Sequence, residues 1–394
     1  MPATRSLFPA ASGRGFHAAG LPDAASPVDD VAPSLPPAAW EPPLLAAESG
    51  LSLAAEQRQV AMAVLVLYSR VDELARGEEL DMLSELETAQ VAEEIVAGLR
   101  SLGYRVALAG ASADVAAALA PYPPDAWLVF NLCESPGGDT AREAAVPLLL
   151  EGRGYAYTGA GAEAITCCLD KARTKALLVR HGIATPRYAV LARPNAPCDV
   201  PLPALVKPLA EDASKGISTD SVVRDREALA RQVAYILERY RQPALVEEFV
   251  AGREFNVAVW GDGRPEALPL SEIHYDGFAD PLQRLLTYEA KWVEDSFACR
   301  HTTGICPAEV DGLLARRLRE TALAAYRLTH SRGYARVDMR ERDGVPYVLE
   351  VNPNPSLASD AGFARAARVA GYDHAHMAER IVSLALAQGR PPFG

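Results

Sequence analysis

The chain has 394 residues, 49% hydrophobic and 23% charged, with 39 Lys+Arg against 51 Asp+Glu for a formal charge of −12. These proportions exclude a wholly disordered or fibrous chain, and the acidity argues against broad binding along a phosphate backbone while leaving room for a local basic cleft that holds one nucleotide. No apolar run approaches the roughly 20 residues that span a bilayer, and six cysteines without zinc-ligand spacing predict scattered reduced thiols in a cytoplasmic protein.

Residues 1–57 carry nine prolines and no sustained helical or strand period. Such a segment buries too little surface to offset the entropy of ordering, so a disordered Pro/Ala-rich tail over 1–58 is expected. A continuous apolar run over 60–68 then predicts a strand buried on both faces. A helix follows over 84–102, with Val91, Ile95 and Leu99 on one face and Gly103 as its stop. Strands over 104–108 and 127–131 complete a βαβ alternation that demands a parallel sheet. A helix is expected over 169–181, strands over 204–208, 219–223 and 245–250, and a charged helix over 225–240. Beyond them come strands over 254–260, 267–273, 335–340 and 347–351, with helices near 307–331 and 374–388.

The most chemically suggestive segment is 334–355, where two strands flank an Asp343-Gly344 turn. Period 2 puts Arg336 and Asp338 on one face of the first strand, and Glu350 and Asn352 on one face of the second. A three-residue loop makes the two faces coincide, whereas a two-residue loop sets Glu350 on the opposite side. With the odd loop, Asp338, Glu350 and Asn352 present converging oxygen ligands of the kind Mg²⁺ takes together with substrate phosphates. Lys171 and Lys175 share a helix face, and Lys207 ends an apolar strand where a buried ammonium needs an anionic partner. The small-residue turn over 211–217 offers backbone N–H groups to a phosphate. The segment 245–250 offers a hinge to a purine, with Glu254 placed for a ribose.

These pieces, in this order, resemble the ATP-grasp superfamily in its D-alanine–D-alanine ligase-like branch, over about residues 60–388. The resemblance rests on Asn131-Leu-Cys-Glu134 with Gly137-Gly138-Asp139, on Tyr157-Thr-Gly159, and on Cys168-Leu-Asp-Lys-Ala-Arg-Thr-Lys175. It continues through Gly182-Ile-Ala-Thr-Pro186, Val206-Lys-Pro208, Gly252-Arg-Glu-Phe-Asn-Val257, Tyr288-Glu-Ala-Lys-Trp292 and Cys306-Pro-Ala308, and closes on the Arg336…Asn352 hairpin. It implies an α/β fold of three subdomains behind the tail: an N-terminal parallel α/β domain over 59–165, a small central α+β domain over 166–250, and a C-terminal α+β, metal-binding domain over 251–394.

The resemblance also implies roles. Lys171 and Lys207 would contact the ATP phosphates, Ser214 in the turn would join them, Glu247 would meet the adenine amino edge, and Glu254 the ribose. Asp338, Glu350 and Asn352 would hold two Mg²⁺ ions, with Mn²⁺ as a substitute. Lys291 would neutralise the transferring phosphoryl group, and Arg336 the oxyanion of the tetrahedral intermediate.

The amino-acid half departs from the family. Its Glu-Gly-Ser-Ser loop is Glu211-Asp-Ala213-Ser214 here, its Lys-Tyr pair is Lys291-Trp292, and the stretch leading to a carboxylate-binding Ser is Pro353…Ser356…Ser359-Asp360-Ala361. The motif whose Glu binds the first amino group is absent, leaving Glu85 and Glu87 as candidates. The expectation is an ATP-dependent carboxylate–amine ligase working through an acyl phosphate, with an altered pocket for amino-acid or peptide substrates. No nucleic-acid or membrane partner is expected, and a homodimer is the candidate assembly. A genuine D-alanine–D-alanine ligase for cell-wall precursor and an inactive nucleotide-binding regulatory module are the competing readings.

Overall fold

The computed structural model describes residues 62–388, so the tail expected over 1–58 lies outside them. Among the described residues, three sheets follow one another along the chain. The first is parallel, in the order β2-β1-β3, from β1 (Ala63–Ser69), β2 (Val106–Ala111) and β3 (Trp127–Leu132). Ala63 to Leu67 are buried without exception, as a central parallel strand covered on both faces requires. The helix Met82–Ser101 lays Val91, Ile95 and Leu99 into the same core, and Gly103 terminates it with φ of +88°.

The second sheet is antiparallel, in the order β4-β7-β5-β6, built from β4 (Tyr188–Leu191), β5 (Ala204–Pro208), β6 (Val222–Val223) and β7 (Ala244–Glu248). The helix Arg226–Arg239 covers it, its first turn capped by the Asp225 side chain. The strand expected over 219–223 shrinks to β6. Ser218 and Ser221 form a capping box that winds Thr219–Ser221 into a 3₁₀ turn instead. The helix expected over 169–181 is Lys171–Arg180, set off from a preceding helix Ala162–Leu169 because Asp170 leaves helical geometry to cap the later one, accepting from the Arg173 N–H at 3.0 Å.

The third sheet runs β11-β10-β8-β12-β13, with β9 on β8. Its strands are β8 (Arg253–Trp260), β9 (Glu266–Ala267), β10 (Ser271–Tyr275), β11 (Thr302–Ile305), β12 (Tyr334–Arg342) and β13 (Val345–Asn352). The single strand expected over 267–273 is split, since Pro269 has no N–H for the ladder. The helix Gly312–Leu328 packs Leu314, Leu318 and Ala322 against the apolar face of this sheet.

The β12–β13 hairpin corrects the expected loop while preserving its consequence. Its turn has two residues, Asp343 and Gly344, with φ of 55° and 74°, the paired left-handed conformation of a type I′ turn. By parity alone Glu350 then lies on the wrong face. A β-bulge at Leu349 restores it: Met339 pairs with Val348, but Asp338 pairs with Glu350 and Arg336 with Asn352. The extra residue lets Val348 and Val351 both enter the core, at 0% and 2% exposure, while Glu350 turns the other way. Two core residues three positions apart were the sequence signal for that bulge.

Candidate active site

Register gathers one polar face. On β8, Glu254 and Asn256 alternate with buried Phe255 and Val257. Directly opposite them on β12 stand Arg340 and Asp338, and on β13 Glu350 and Asn352 face Asp338 and Arg336. Seven polar side chains from three neighbouring strands thus share one side of the sheet, and the other side is hydrophobic core. Counting by two from Glu254 and Asp338 reaches Asn256 and Arg340, which the sequence reading did not include.

Asp338 is the most heavily bonded carboxylate of this face. Arg336 donates to it through Nε and Nη2, both at 2.7 Å, Asn256 Nδ2 at 2.6 Å and Asn352 Nδ2 at 2.8 Å. The same Asn352 amide reaches Glu350 Oε1 at 3.5 Å. A single amide therefore links the two carboxylates, which stand opposite one another on paired strands. Two carboxylates and one amide suit Mg²⁺, which fills its remaining positions with phosphate oxygens and water.

The cations converge on Glu350. Lys207 Nζ lies 3.8 Å from Glu350 Oε2 and 3.1 Å from Glu247 Oε2, and Lys175 Nζ lies 2.7 Å from Glu247 Oε1. Lys175, Glu247 and Lys207 are all buried, so the alternating row Lys175–Glu247–Lys207–Glu350 links the helix Lys171–Arg180 through the second sheet to β13. Burial alone would raise the Glu350 pKa; Lys207, Lys171, Lys291 and Arg336 outweigh it and bring it down to about 2. Burial likewise opposes ionisation of Glu247, and the Lys175 and Lys207 ammoniums reverse it and hold its pKa below the usual range. Burial and then the Arg336 charge lower the pKa of Lys291, which makes no ion pair among the described residues. These four cations favour the charged form of Glu350, and Lys291, unpaired among the described residues, is the one left to meet an incoming anion.

The turn over 211–217 is tied down from every side. Arg76 Nε and Gln242 Nε2 donate to Glu211 Oε1 at 2.6 and 2.9 Å, and Lys171 Nζ donates to the Glu211 carbonyl. Lys215 pairs with Glu85 at 2.6 Å, Ser214 Oγ donates to the Leu286 carbonyl at 2.9 Å, and Trp292 Nε1 to the Ala213 carbonyl at 3.1 Å. Ala213 and Ser214 have φ of 57° and 62°, a conformation that costs about 1–2 kcal/mol per non-glycine residue. Those bonds hold it.

Two cavities meet at this face. The smaller, about 70 Å³, is lined by Lys207, Ser214, Glu247, Glu254, Asp338 and Arg340 among apolar Leu205, Ile217, Val250 and Leu349. The larger, about 380 Å³, is lined by Glu87, Ala213, Trp292, Arg336, Asn352, Ser356, Asp360 and Ala361. Lys291 and Glu350 line both. Of the candidates read from sequence, Lys171 sits behind the 211–217 turn, and Glu85 is engaged by Lys215 and by the Ser135 hydroxyl, which leaves Glu87 as the glutamate of that pair that lines the cavity. Glu87 accepts from Ser356 Oγ at 3.2 Å, and Ser359 points its backbone N–H at Glu94, away from the cavity lining. Glu254 is held by Arg340 at 2.7 Å and by the Tyr275 hydroxyl at 2.8 Å.

Sequence reasoning did not reach Glu134, Glu143 or Arg365 as lining residues of the larger cavity. Burial, followed by the Glu85 and Asp212 charges, raises the Glu134 pKa to about 8, and burial and Glu134 raise that of Glu143 well above the usual range. Among the described residues, no group of three or more His, Cys, Asp and Glu forms a metal centre of its own, and no helix is long and apolar enough to cross a membrane.

Residues 177–383 match the family model described as the D-ala D-ala ligase C-terminus. A D-alanine–D-alanine ligase of Sphingopyxis alaskensis is 32% identical over 299 residues, covering 73% of this chain and 89% of that protein. An uncharacterized protein, y4sG, of Sinorhizobium fredii is 34% identical over 304 residues, covering 75% and 87%. Among solved structures, the D-alanine–D-alanine ligase of Bacillus anthracis complexed with ATP superposes with a TM-score of 0.64 at 22% identity, over 83% of this chain and 98% of that one. That likeness shows a shared fold.

Proposed function

The chain belongs to the D-alanine–D-alanine ligase family of ATP-grasp proteins, and from that premise we propose that it joins a carboxylate to an amine at the expense of ATP, through an acyl phosphate, with release of ADP and phosphate. The carrying observation is that Lys291 and Glu350 line both cavities. A phosphoryl group crossing from a nucleotide in the smaller cavity to a carboxylate in the larger one has to pass these two side chains. The subdomain division 59–165, 166–250 and 251–394 is supported by the three sheets, each contained within one range.

In this reading the smaller cavity receives adenosine between the apolar residues of β5 and β13. At about 70 Å³ it is smaller than the nucleoside, so binding requires the second sheet to lift from the third. Lys207 and Lys171 neutralise the phosphates, Glu254 accepts from the ribose, and Glu247 keeps Lys207 aimed while offering its carboxylate edge toward the base. Asp338, Glu350 and Asn352 hold Mg²⁺, which spreads the phosphate charge when bound. The carboxylate oxygen of the first substrate attacks the γ-phosphorus, the bond to the β-phosphate oxygen breaks, and ADP leaves. Lys291, without an ion-pair partner among the described residues, neutralises the phosphoryl oxygens in flight. The amine then attacks the acyl carbon, Arg336 supports the oxyanion, phosphate departs and the amine proton passes to solvent. For Arg336 to do this it must loosen its grip on Asp338.

The substrates we propose are larger than D-alanine. Trp292 presents an apolar face, Ala213 and Ala361 supply no hydroxyl, and the cavity of about 380 Å³ exceeds the need of two alanines. Phosphate release from ATP across a panel of D- and L-amino acids and dipeptides, with mass detection of the product, tests the proposal. A product of amide mass with equimolar ADP supports it, and ATP turnover with no condensed product in any combination refutes it.

A further inference from the structure

The larger cavity holds one cation that the reaction above does not use. Arg365, on the helix Gly362–Val369, donates Nη1 to the Gly304 carbonyl at 2.7 Å. Its Nε is buried with no acceptor, and no carboxylate lies within ion-pair distance among the described residues. The charged and titratable groups around it are Asp360, Arg336, Arg368 and Cys306. Arg336 is already committed to Asp338, so that carboxylate is not free to serve as the partner of Arg365. Arg365 is half-buried, a partly desolvated charge without an ion-pair partner is costly, and a planar guanidinium is shaped for a carboxylate.

A second unsatisfied donor lies on the same side. The register of β11 on β10 pairs Gly304 with Ile273 and Thr302 with Tyr275, and β10 in turn pairs Ile273 with Glu254. Thr302 and Gly304 therefore face the polar side of the sheet. Thr302 Oγ1 is buried, has no partner, and lines the cavity together with Arg365. Glycine at 304 leaves open the seat that the guanidinium occupies, since a Cβ there would overlap it. A Cβ built on Gly362 would be 3.8 Å from both Arg336 Cδ and Arg365 Nη2, so both arginine side chains lie beside the start of this helix, and both line the larger cavity.

We propose that Arg365 and Thr302 form the subsite that binds the carboxylate of the amine-bearing substrate. This rests on the ligase reading: the first substrate's carboxylate is consumed at Lys291, so an anion seated at Arg365 belongs to the acceptor. With its carboxylate on Arg365, the acceptor is an amine that also carries an acid group.

The test is equilibrium binding to the full chain, loaded with Mg²⁺ and a non-hydrolysable ATP analogue. The probes are the D- and L-amino acids and their α-carboxamides. At least one amino acid is expected to bind about 10-fold or more tightly than its carboxamide. R365M should erase that preference by weakening the acid alone, R365K should restore part of it, and T302V should reduce it a few-fold. Because Arg365 is an unpaired cation, R365M should leave the melting temperature unchanged or raise it, where a structural arginine would lower it. An acid preference that survives R365M, a loss of stability with binding intact, or no acid preference across the panel overturns the proposal. The ligase reading fails separately, if an amino acid binds and no ADP forms when ATP replaces the analogue.

Discussion

In the smaller cavity, buried charges answer one another: Glu247 lies between Lys175 and Lys207, and Glu254 is held by Arg340 and Tyr275. In the larger cavity they do not. Arg365 Nε and Thr302 Oγ1 lack acceptors, and Glu134 and Glu143 have no cation bonded to them among the described residues. Apart from Lys291, which both cavities share, the first arrangement is paired within the chain and serves a ligand common to many enzymes. The second is completed only by a ligand, so the identity of that ligand is written in the groups left unpaired.

The comparison breaks most visibly at the residues the two cavities share. E350Q should lower ATP-dependent ligation by about 10³-fold, and K291M by about 10²- to 10³-fold, as expected for groups that meet transition-state charge. Initial rates of phosphate release check both. Glu350 has four cationic neighbours, which outweigh its burial and stabilise its charged form. E350Q should therefore lower stability, by about 2–3 kcal/mol at most. Its folded pKa is depressed, so the stabilisation is present above the unfolded value of about 4.5 and is lost as pH falls toward about 2. Urea denaturation at pH 7 and pH 3 should show the difference between wild type and E350Q shrinking with acid.

A smaller effect is expected on the amino-acid side. D-Alanine as sole substrate should show a kcat/KM at least about 10-fold below that of the preferred pair, reflecting one missing hydrogen bond to a charged group. The double variant W292Y/A361S should narrow that gap, and steady-state kinetics with D-alanine measure it. W292F, which removes the bond to the Ala213 carbonyl together with part of the indole ring, should raise KM for ATP by about 5-fold by loosening the 211–217 turn.

The last effect concerns Glu134. Burial and neighbouring carboxylates raise its folded pKa to about 8, so the unfolded chain releases this proton first as pH rises. Stability should fall between about pH 4.5 and 8 and then level off, and E134Q should flatten the slope and stabilise the protein at pH 8. Chemical denaturation at pH 5.5, 7 and 8.5 decides it.

The polar face of the third sheet was largely legible, because period 2 on β12 and β13 is a local property of the chain. Its register was not: the two-residue turn and the bulge at Leu349 each shift parity by one, and only their sum restores Asp338 opposite Glu350. Strands and helices with a strong apolar period were visible, while β4, β11 and the helices Ala145–Gly152 and Gly362–Val369 were not, being short and dependent on tertiary partners. Arg365 was invisible for the same reason. On a helix of eight residues, nothing local distinguishes an arginine facing a cavity from one facing water.

Oxygen transfer tests the central claim most directly. With a substrate labelled with ¹⁸O in the carboxylate to be activated, turnover with ATP and Mg²⁺ should deliver one labelled oxygen into inorganic phosphate for each amide bond formed, with ADP as the other product. Unlabelled phosphate, or AMP and pyrophosphate in its place, would contradict an acyl phosphate formed between Lys291 and Glu350.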